Sequence, residues 1–310
     1  MSRKTAIAVL SATLASVLTL AAVPASKGQT QPGASNSVLP PTEAEMQARG
    51  ERLVSNQHKD DAALDQYERI EHQRDTTSGP SPRVLDDKKI RMVPNGAGVT
   101  KLLLEENGRA VTPEQYQSEL QNWLSVLQFM VNPNDDRMKS ATAKYLKKKQ
   151  TRSQLVDAML VAFKRNWVGR EMMGGRDCDV IELTPDPNFH PHSIFEDALP
   201  HAKATIWVDR DADQLVRARA EIMSDVWVGG GILGKLYKGG IFSMEQAEVA
   251  PGIWLPTRYQ FDFSGRKFLF GFEEHQIIES SHYRYIGSAK DALAQARSEL
   301  ASAKSMAGDP

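Results

Sequence analysis

Leu215 to Ile222 alternates without a break: Val216, Ala218, Ala220 and Ile222 fall on one side, Arg217, Arg219 and Glu221 on the other. A period of two places these residues on opposite faces of a strand, one buried and one wet, as antiparallel sheets require. The same texture runs through most of residues 160–286. Phe163–Met172 and Cys178–Leu183 flank Gly174-Gly175, a tight hairpin turn. Ala204–Val208 and Leu215–Ile222 flank Arg210-Asp211-Ala212-Asp213. Gly240–Val249 and Trp254–Phe263 follow, and Phe268–Phe272 is expected to pair back across Ser264-Gly265. Gln276–Tyr285 reads as the last strand. A chain with this half must build a large antiparallel sheet and cover one face of it.

The rest supplies the cover. Thr42 with Glu45 is a capping-box pattern that starts a helix, and Asp60–Asp65 reads as a second one. Three strands are expected from Tyr67, Lys88 and Val99, separated by Ser78–Pro82 and Pro94-Asn95-Gly96 and closed by Asn107-Gly108. Thr112-Pro113-Glu114-Gln115 combines a cap, a first-turn proline and a returning Gln. Tyr116, Leu120, Trp123, Leu124, Leu127 and Met130 then recur at helical spacing, a wide stripe that needs a large partner surface. Pro133 stops that helix. A basic helix follows to about Gln150, and Ser153 is expected to cap a short one to Met159. An Ala-rich helix spans residues 288–306. The expected organisation is a single α+β domain over residues 42–310, with a helical section at 112–159 and a β half at 160–286.

Two N-terminal segments stand apart. Arg3 and Lys4 precede an uncharged run from Ala6 to Val23, and Val23-Pro24-Ala25 places small residues where a signal peptidase cuts. Residues 1–25 therefore read as a secretory signal peptide and residues 26–41 as a flexible Gly/Gln/Ser/Pro leader. Export, to the periplasm in a bacterium, is the expectation; an uncleaved N-terminal anchor is the alternative. No cysteine lies near the cut, which excludes a lipoprotein anchor. The only cysteine, Cys178, falls within an expected strand, so no disulfide framework exists. A net charge of −1 argues against a dedicated nucleic-acid binder.

Motifs that carry chemistry are few. Gly229-Gly230-Gly231-Ile232-Leu233-Gly234-Lys235 has the spacing of phosphate-binding loops, but those need a helix to start where Leu236-Tyr237-Lys238-Gly239-Gly240 follows. It reads as a flexible loop between strands. His190, His192 and His201 lie near Glu196 and Asp197, yet Pro191 and Pro200 break the segment and no i,i+4 pair exists. No nucleophile elbow and no metalloprotease helix occur. No catalytic residue, cofactor or metal is assigned. Lys139, Lys144, Lys147, Lys148 and Lys149, interrupted by Tyr145 and Leu146, read as a solvated helix face or as a surface for anionic lipid.

Trp207, Trp227, Tyr237, Phe242, Trp254, Tyr259 and five phenylalanines crowd the β half. A sheet this aromatic either packs on helices or curls around an apolar cavity. Tyr67-Glu-Arg-Ile-Glu71, the run Lys101–Thr112 before an amphipathic helix, Ile206-Trp-Val-Asp209, the strand ending at Glu221 and Gly252-Ile-Trp-Leu-Pro256 together resemble exported bacterial proteins of the LolA/LolB-like lipoprotein-sorting group, over roughly residues 60–286. The resemblance implies an incomplete antiparallel barrel with helices as a lid over a hydrophobic cavity, which in characterised members holds acyl chains. The 112–159 helical section is longer than the carriers have, and the anchoring cysteine of the receptor branch is missing. The expected function is non-enzymatic binding of a lipid or an acylated protein. Trp123, Leu127, Trp254, Phe261, Phe263, Phe268 and Phe270 are the candidate pocket residues. A sensory or scaffolding module that binds a protein is the first alternative, a hydrolase with scattered loops the second.

Overall fold

A computed structural model describes residues 39–307. The segments read as signal peptide (1–25) and most of the leader lie outside the described residues. The elements are α1 (Glu43–Leu64), β1 (Tyr67–Thr76), β2 (Val84–Pro94), β3 (Val99–Glu106), β4 (Arg109–Ala110), α2 (Pro113–Met130) and α3 (Asp136–Ala162). They continue as β5 (Phe163–Met173), β6 (Arg176–Pro185), β7 (Ala202–Asp209), β8 (Leu215–Ile222), β9 (Val226–Val228), β10 (Gly234–Leu236), β11 (Ile241–Ala250), β12 (Ile253–Lys267), β13 (Phe270–Tyr285) and α4 (Ala289–Ala307).

The strands form one antiparallel sheet in the order β4-β3-β2-β1-β13-β12-β11-β8-β7-β6-β5, with β10 on β12 and β9 on β10. β4 and β5 end the path, so the sheet does not close into a barrel. This is the expected α+β build: an open antiparallel sheet with four α-helices among the described residues. The alternating segment forms β8, with Val216, Ala218, Ala220 and Ile222 buried. β5 and β6 turn at Gly174-Gly175, where Met173 faces Arg176.

Three local expectations shift. The two N-terminal helices are one, because no Gly or Pro interrupts the chain between Gly50 and Leu64. The basic helix and its successor also merge. Ser153 does not cap a new helix; its hydroxyl lies 3.5 Å from His58 Nδ1. The Phe-rich hairpin turns at Phe268-Leu269, four residues later than expected. Gly265 is a strand residue opposite Leu236, and a Cβ there would lie 2.3 Å from the Lys235 carbonyl. The glycine serves close strand approach rather than a bend.

The chain divides into two compact units. The first holds the described residues up to Gln57, with Gln154–Ala247 and Gln260–Glu273. The second holds His58–Ser153, Glu248–Tyr259 and the chain from Glu274. This division cuts through α1, α3, β12 and β13.

In the second unit the apolar stripe of α2 finds its surface. Leu120, Trp123 and Leu127 pack with Val93, Leu102, Ile286 and the α4 residues Ala292, Leu293, Ala296 and Leu300. The small side chains of Ala292 and Ala296 let the two helices approach closely. α2 is started as expected: Thr112 Oγ1 accepts from Gln115 N–H, and Gln115 Oε1 accepts from Thr112 N–H at 2.8 Å. Beside this core, Arg91 donates to Glu299 on α4 (2.6 and 2.8 Å), to Glu68 on β1 (2.6 and 3.0 Å) and to the Tyr116 hydroxyl.

In the first unit α1 is held by charge. Arg49 pairs with Asp179 on β6 and donates to Asp213 (2.8 Å), while Asn56 donates to the carbonyls of Ala212 and Asp213. Asp179 also accepts from Trp167 Nε1 at 2.8 Å. Burial pushes the Asp179 carboxyl up, but the Trp167 and Arg49 hydrogen bonds and the surrounding arginines outweigh it and hold it below the ordinary range.

Candidate functional site

Two open grooves meet in the first unit, at the C-terminal end of α3. One, of about 760 Å³, lies between the start of α1 (Pro41, Met46, Gln47), the end of α3 (Leu160, Val161) and β5 (Phe163–Trp167). The other, of about 550 Å³, is lined by Asp157, Ala158 and Val161 of α3 and by the 186–196 segment with Phe189, His190, His192 and Glu196. Val161 and Asp186 border both. The linings differ: the smaller groove is mainly apolar, with Ala158, Val161 and Phe189, and the larger is mainly polar, with Gln47, Lys164, Arg165 and Asn166 beside Met46, Leu160, Val161 and Phe163. Neither groove was legible from the sequence, because the larger joins residues 40–47 to 160–186 and the smaller joins α3 to a loop beyond the β5–β6 hairpin.

The 186–196 segment is ordered by its own carboxylates. Asp186 Oδ1 accepts from the Asn188 backbone (2.8 Å) and side-chain amides, and Glu196 accepts from His192 N–H (2.8 Å) and Ser193 Oγ (3.0 Å). His201 stands elsewhere, hydrogen-bonded to Ser224 Oγ at 2.7 Å. The three histidines do not converge, and among the described residues no group of three or more His, Cys, Asp or Glu is placed to hold a metal.

The glycine-rich run forms the β9–β10 hairpin. Gly229, Gly230 and Gly231 all have positive φ, and a strand, not a helix, follows. No helix N-terminus meets this loop, so the phosphate-cradling geometry is missing. Cys178 is buried; burial first, then Asp209 and Asp177, pushes its thiol up to about 11. It stays protonated at neutral pH.

The seven candidate pocket residues divide between the units. Trp123 and Leu127 are fully buried in the α2–α4 core, and Trp123 Nε1 donates to the Pro94 carbonyl at 3.2 Å. Trp254 is buried on β12, its backbone N–H on Asp60 Oδ1. Phe261 and Phe263 are buried in the first unit, Phe261 edge-on to Phe242 with centroids 4.9 Å apart. A Cβ on Gly240 would lie 2.5 Å from the Phe263 ring, so ring and backbone are in close contact there. Phe268 and Phe270 face solvent at the hairpin tip. Of the five lysines, Lys144, Lys147 and Lys148 are exposed on α3, Lys139 pairs with Asp136, and Lys149 with Asp65 and Tyr145. Among the described residues no helix is long and apolar enough to cross a membrane.

The sequence matches no protein family model, and comparison with curated proteins finds no match. Solved structures similar to this chain include a LolA superfamily protein from Nitrosomonas europaea, at 11% identity and TM-score 0.29, covering 77% of this chain and 92% of that one. A DUF1329 family protein from Desulfovibrio piger is similar at 13% identity and TM-score 0.27, covering 77% and 92%. The Pseudomonas aeruginosa MucA/MucB complex matches at 8% identity and TM-score 0.20, covering 80% and 96%.

Proposed function

We propose that this is an exported cell-envelope protein that binds a lipid, or a protein through its attached acyl chain, without carrying out chemistry on it. The observation that carries this proposal is the pair of adjoining grooves between helix ends and the sheet edge. At about 550 and 760 Å³, each falls within the ordinary range of small-molecule sites, roughly 300–1,000 Å³. Met46, Leu160, Val161 and Phe163 offer the apolar wall, and burying hydrocarbon there is favourable by about 0.8 kcal/mol per methylene. Lys164 and Arg165 at the rim suit an acidic headgroup. In this proposal Phe261 and Phe263 pack in the core of the first unit, Trp123, Leu127 and Trp254 stabilise the second unit, and Phe268 and Phe270 act outside the grooves.

Native mass spectrometry before and after organic extraction tests it. Bound lipid is expected before extraction, and much less in Val161→Trp, which fills the border shared by both grooves. Equal loading of the two proteins removes the grooves from the account.

A protein partner is the second possibility, favoured by one specific observation. β5 ends the sheet and pairs only with β6, so its outer edge is available to a segment that adds a strand. A peptide bound there would lie along the larger groove. Hydrogen exchange of the β5 amides separates the two: lipid protects side chains of the groove, an added strand protects alternate β5 N–H groups.

A further inference from the structure

Leu39 aside, the most exposed apolar side chains of the first unit are concentrated at one place. Leu269 is 88% exposed, Ile232 78% and Phe270 76%, with Phe268, Trp227 and Tyr237 also open to solvent. They belong to two neighbouring hairpins. Gly234, Lys235 and Leu236 of β10 pair with Lys267, Arg266 and Gly265 of β12, and Phe268 N–H donates to the Leu233 carbonyl at 3.2 Å. The β9–β10 turn and the β12–β13 turn therefore present their tips side by side. An apolar patch at such tips, outside any core, marks an interaction surface.

Charge says what kind. From Val226 to Gly240 and from Phe263 to Phe272 the chain carries Lys235, Lys238, Arg266 and Lys267 and no carboxylate, while Asp225, Asp262, Glu273 and Glu274 flank these spans and Asp197 accepts from Gly229 N–H at 2.9 Å. Lys235 Nζ lies 4.4 Å and the Arg266 guanidinium 5.7 Å from the centre of the Trp227 ring, and Lys235 also pairs with Asp225 at 2.6 Å. Cations thus gather around an indole, below a cap of Ile, Leu and Phe. β10 is flanked on both sides by strands, and the open edge of this hairpin belongs to β9, which is only three residues long and offers little for an incoming peptide strand to pair with. Aromatic rings, aliphatic tips and a cationic collar are the combination that an anionic bilayer interface accommodates: hydrocarbon inserts shallowly, indole and phenol sit at headgroup level, and lysine and arginine meet lipid phosphates.

We propose that the paired tips of β9–β10 and β12–β13 form a docking surface for an anionic lipid bilayer. This surface is distinct from the α3 lysines and holds whether or not the grooves carry a lipid.

Vesicles of phosphatidylethanolamine with phosphatidylglycerol, mixed with the full chain, provide the test. Sedimentation should show partitioning that exceeds that onto phosphatidylcholine alone and weakens with added salt. Leu269→Ser/Phe270→Ser removes exposed side chains only, so folding, checked by circular dichroism, is retained while partitioning falls at least about tenfold. Lys238→Glu should lower it about fivefold on anionic vesicles and leave phosphatidylcholine unaffected. Brominated lipid should quench fluorescence in the wild type, and Trp227→Phe should lose that quenching. No partitioning of the wild type, or partitioning unchanged in Leu269→Ser/Phe270→Ser, overturns the proposal; the latter together with loss of a co-purifying protein would assign the patch to a protein partner instead.

Discussion

Replacing Arg91 by methionine should remove about 3 kcal/mol from the second unit. The Arg91 side chain is 12% exposed, Glu68 10% and Glu299 26%. Burial works against charge in Arg91 and Glu299, yet the two carboxylates raise the Arg91 pKa, and the hydrogen bonds from Arg91 and Gln295 keep Glu299 below its ordinary range despite desolvation. Removing the guanidinium leaves Glu68 facing only Arg284, at 2.5 Å. Breaking a buried pair costs about 3–5 kcal/mol. The more open Glu299 contributes nearer the surface value of about 0.2–1 kcal/mol, which places the sum at the low end. The guanidinium carbon also lies 5.7 Å from the centre of the Trp123 ring, a contact that methionine gives up while keeping an unbranched apolar side chain beside it. Urea denaturation followed by circular dichroism measures the loss, and a double-mutant cycle with Glu68→Gln should return a coupling of about 2 kcal/mol. A loss below about 1 kcal/mol, or a cycle without coupling, refutes the idea that the buried Arg91–Glu68 pair stabilises the second unit.

Other expectations follow from single contacts. Asp179 has a lowered pKa, so its contribution is present above the unfolded value of about 3.9 and disappears as pH falls through the folded one; Asp179→Asn should flatten the acid limb of the stability–pH curve, and an unchanged limb contradicts this. Gly265→Val should break the β10–β12 pairing, since its Cβ would overlap the Lys235 carbonyl, and cost about 2 kcal/mol or more by thermal melting. Cys178 should resist a thiol reagent at pH 8 in the folded protein and react fully in denaturant; rapid labelling of the native chain would contradict its burial.

Much of the architecture was legible because it is written locally. The period-two pattern of β8, the Gly174-Gly175 turn and the Thr112–Gln115 capping box each depend on a few adjacent residues, and each appears where expected. What failed depended on distant partners. Ser264-Gly265 looks like a turn only until β10 is known to press against Gly265. Ser153 looks like a cap only if the helix before it ends, and nothing between Asp136 and Ala162 ends it. Trp123 and Leu127 signalled a buried face, which is present; that α4 packs on it is what periodicity cannot reveal. The grooves lay beyond reach for the same reason: residues 40–47, 154–167 and 186–196 carry no mutual signature in the chain.

The central claim is that hydrocarbon from outside the protein occupies the grooves beside Val161. Native mass spectrometry of the chain purified without detergent tests it most directly. The account predicts an adduct with the mass of a phospholipid or fatty acid, lost on organic extraction and depleted in Val161→Trp. A spectrum showing only the bare polypeptide, with no adduct restored by added lipid, would contradict it.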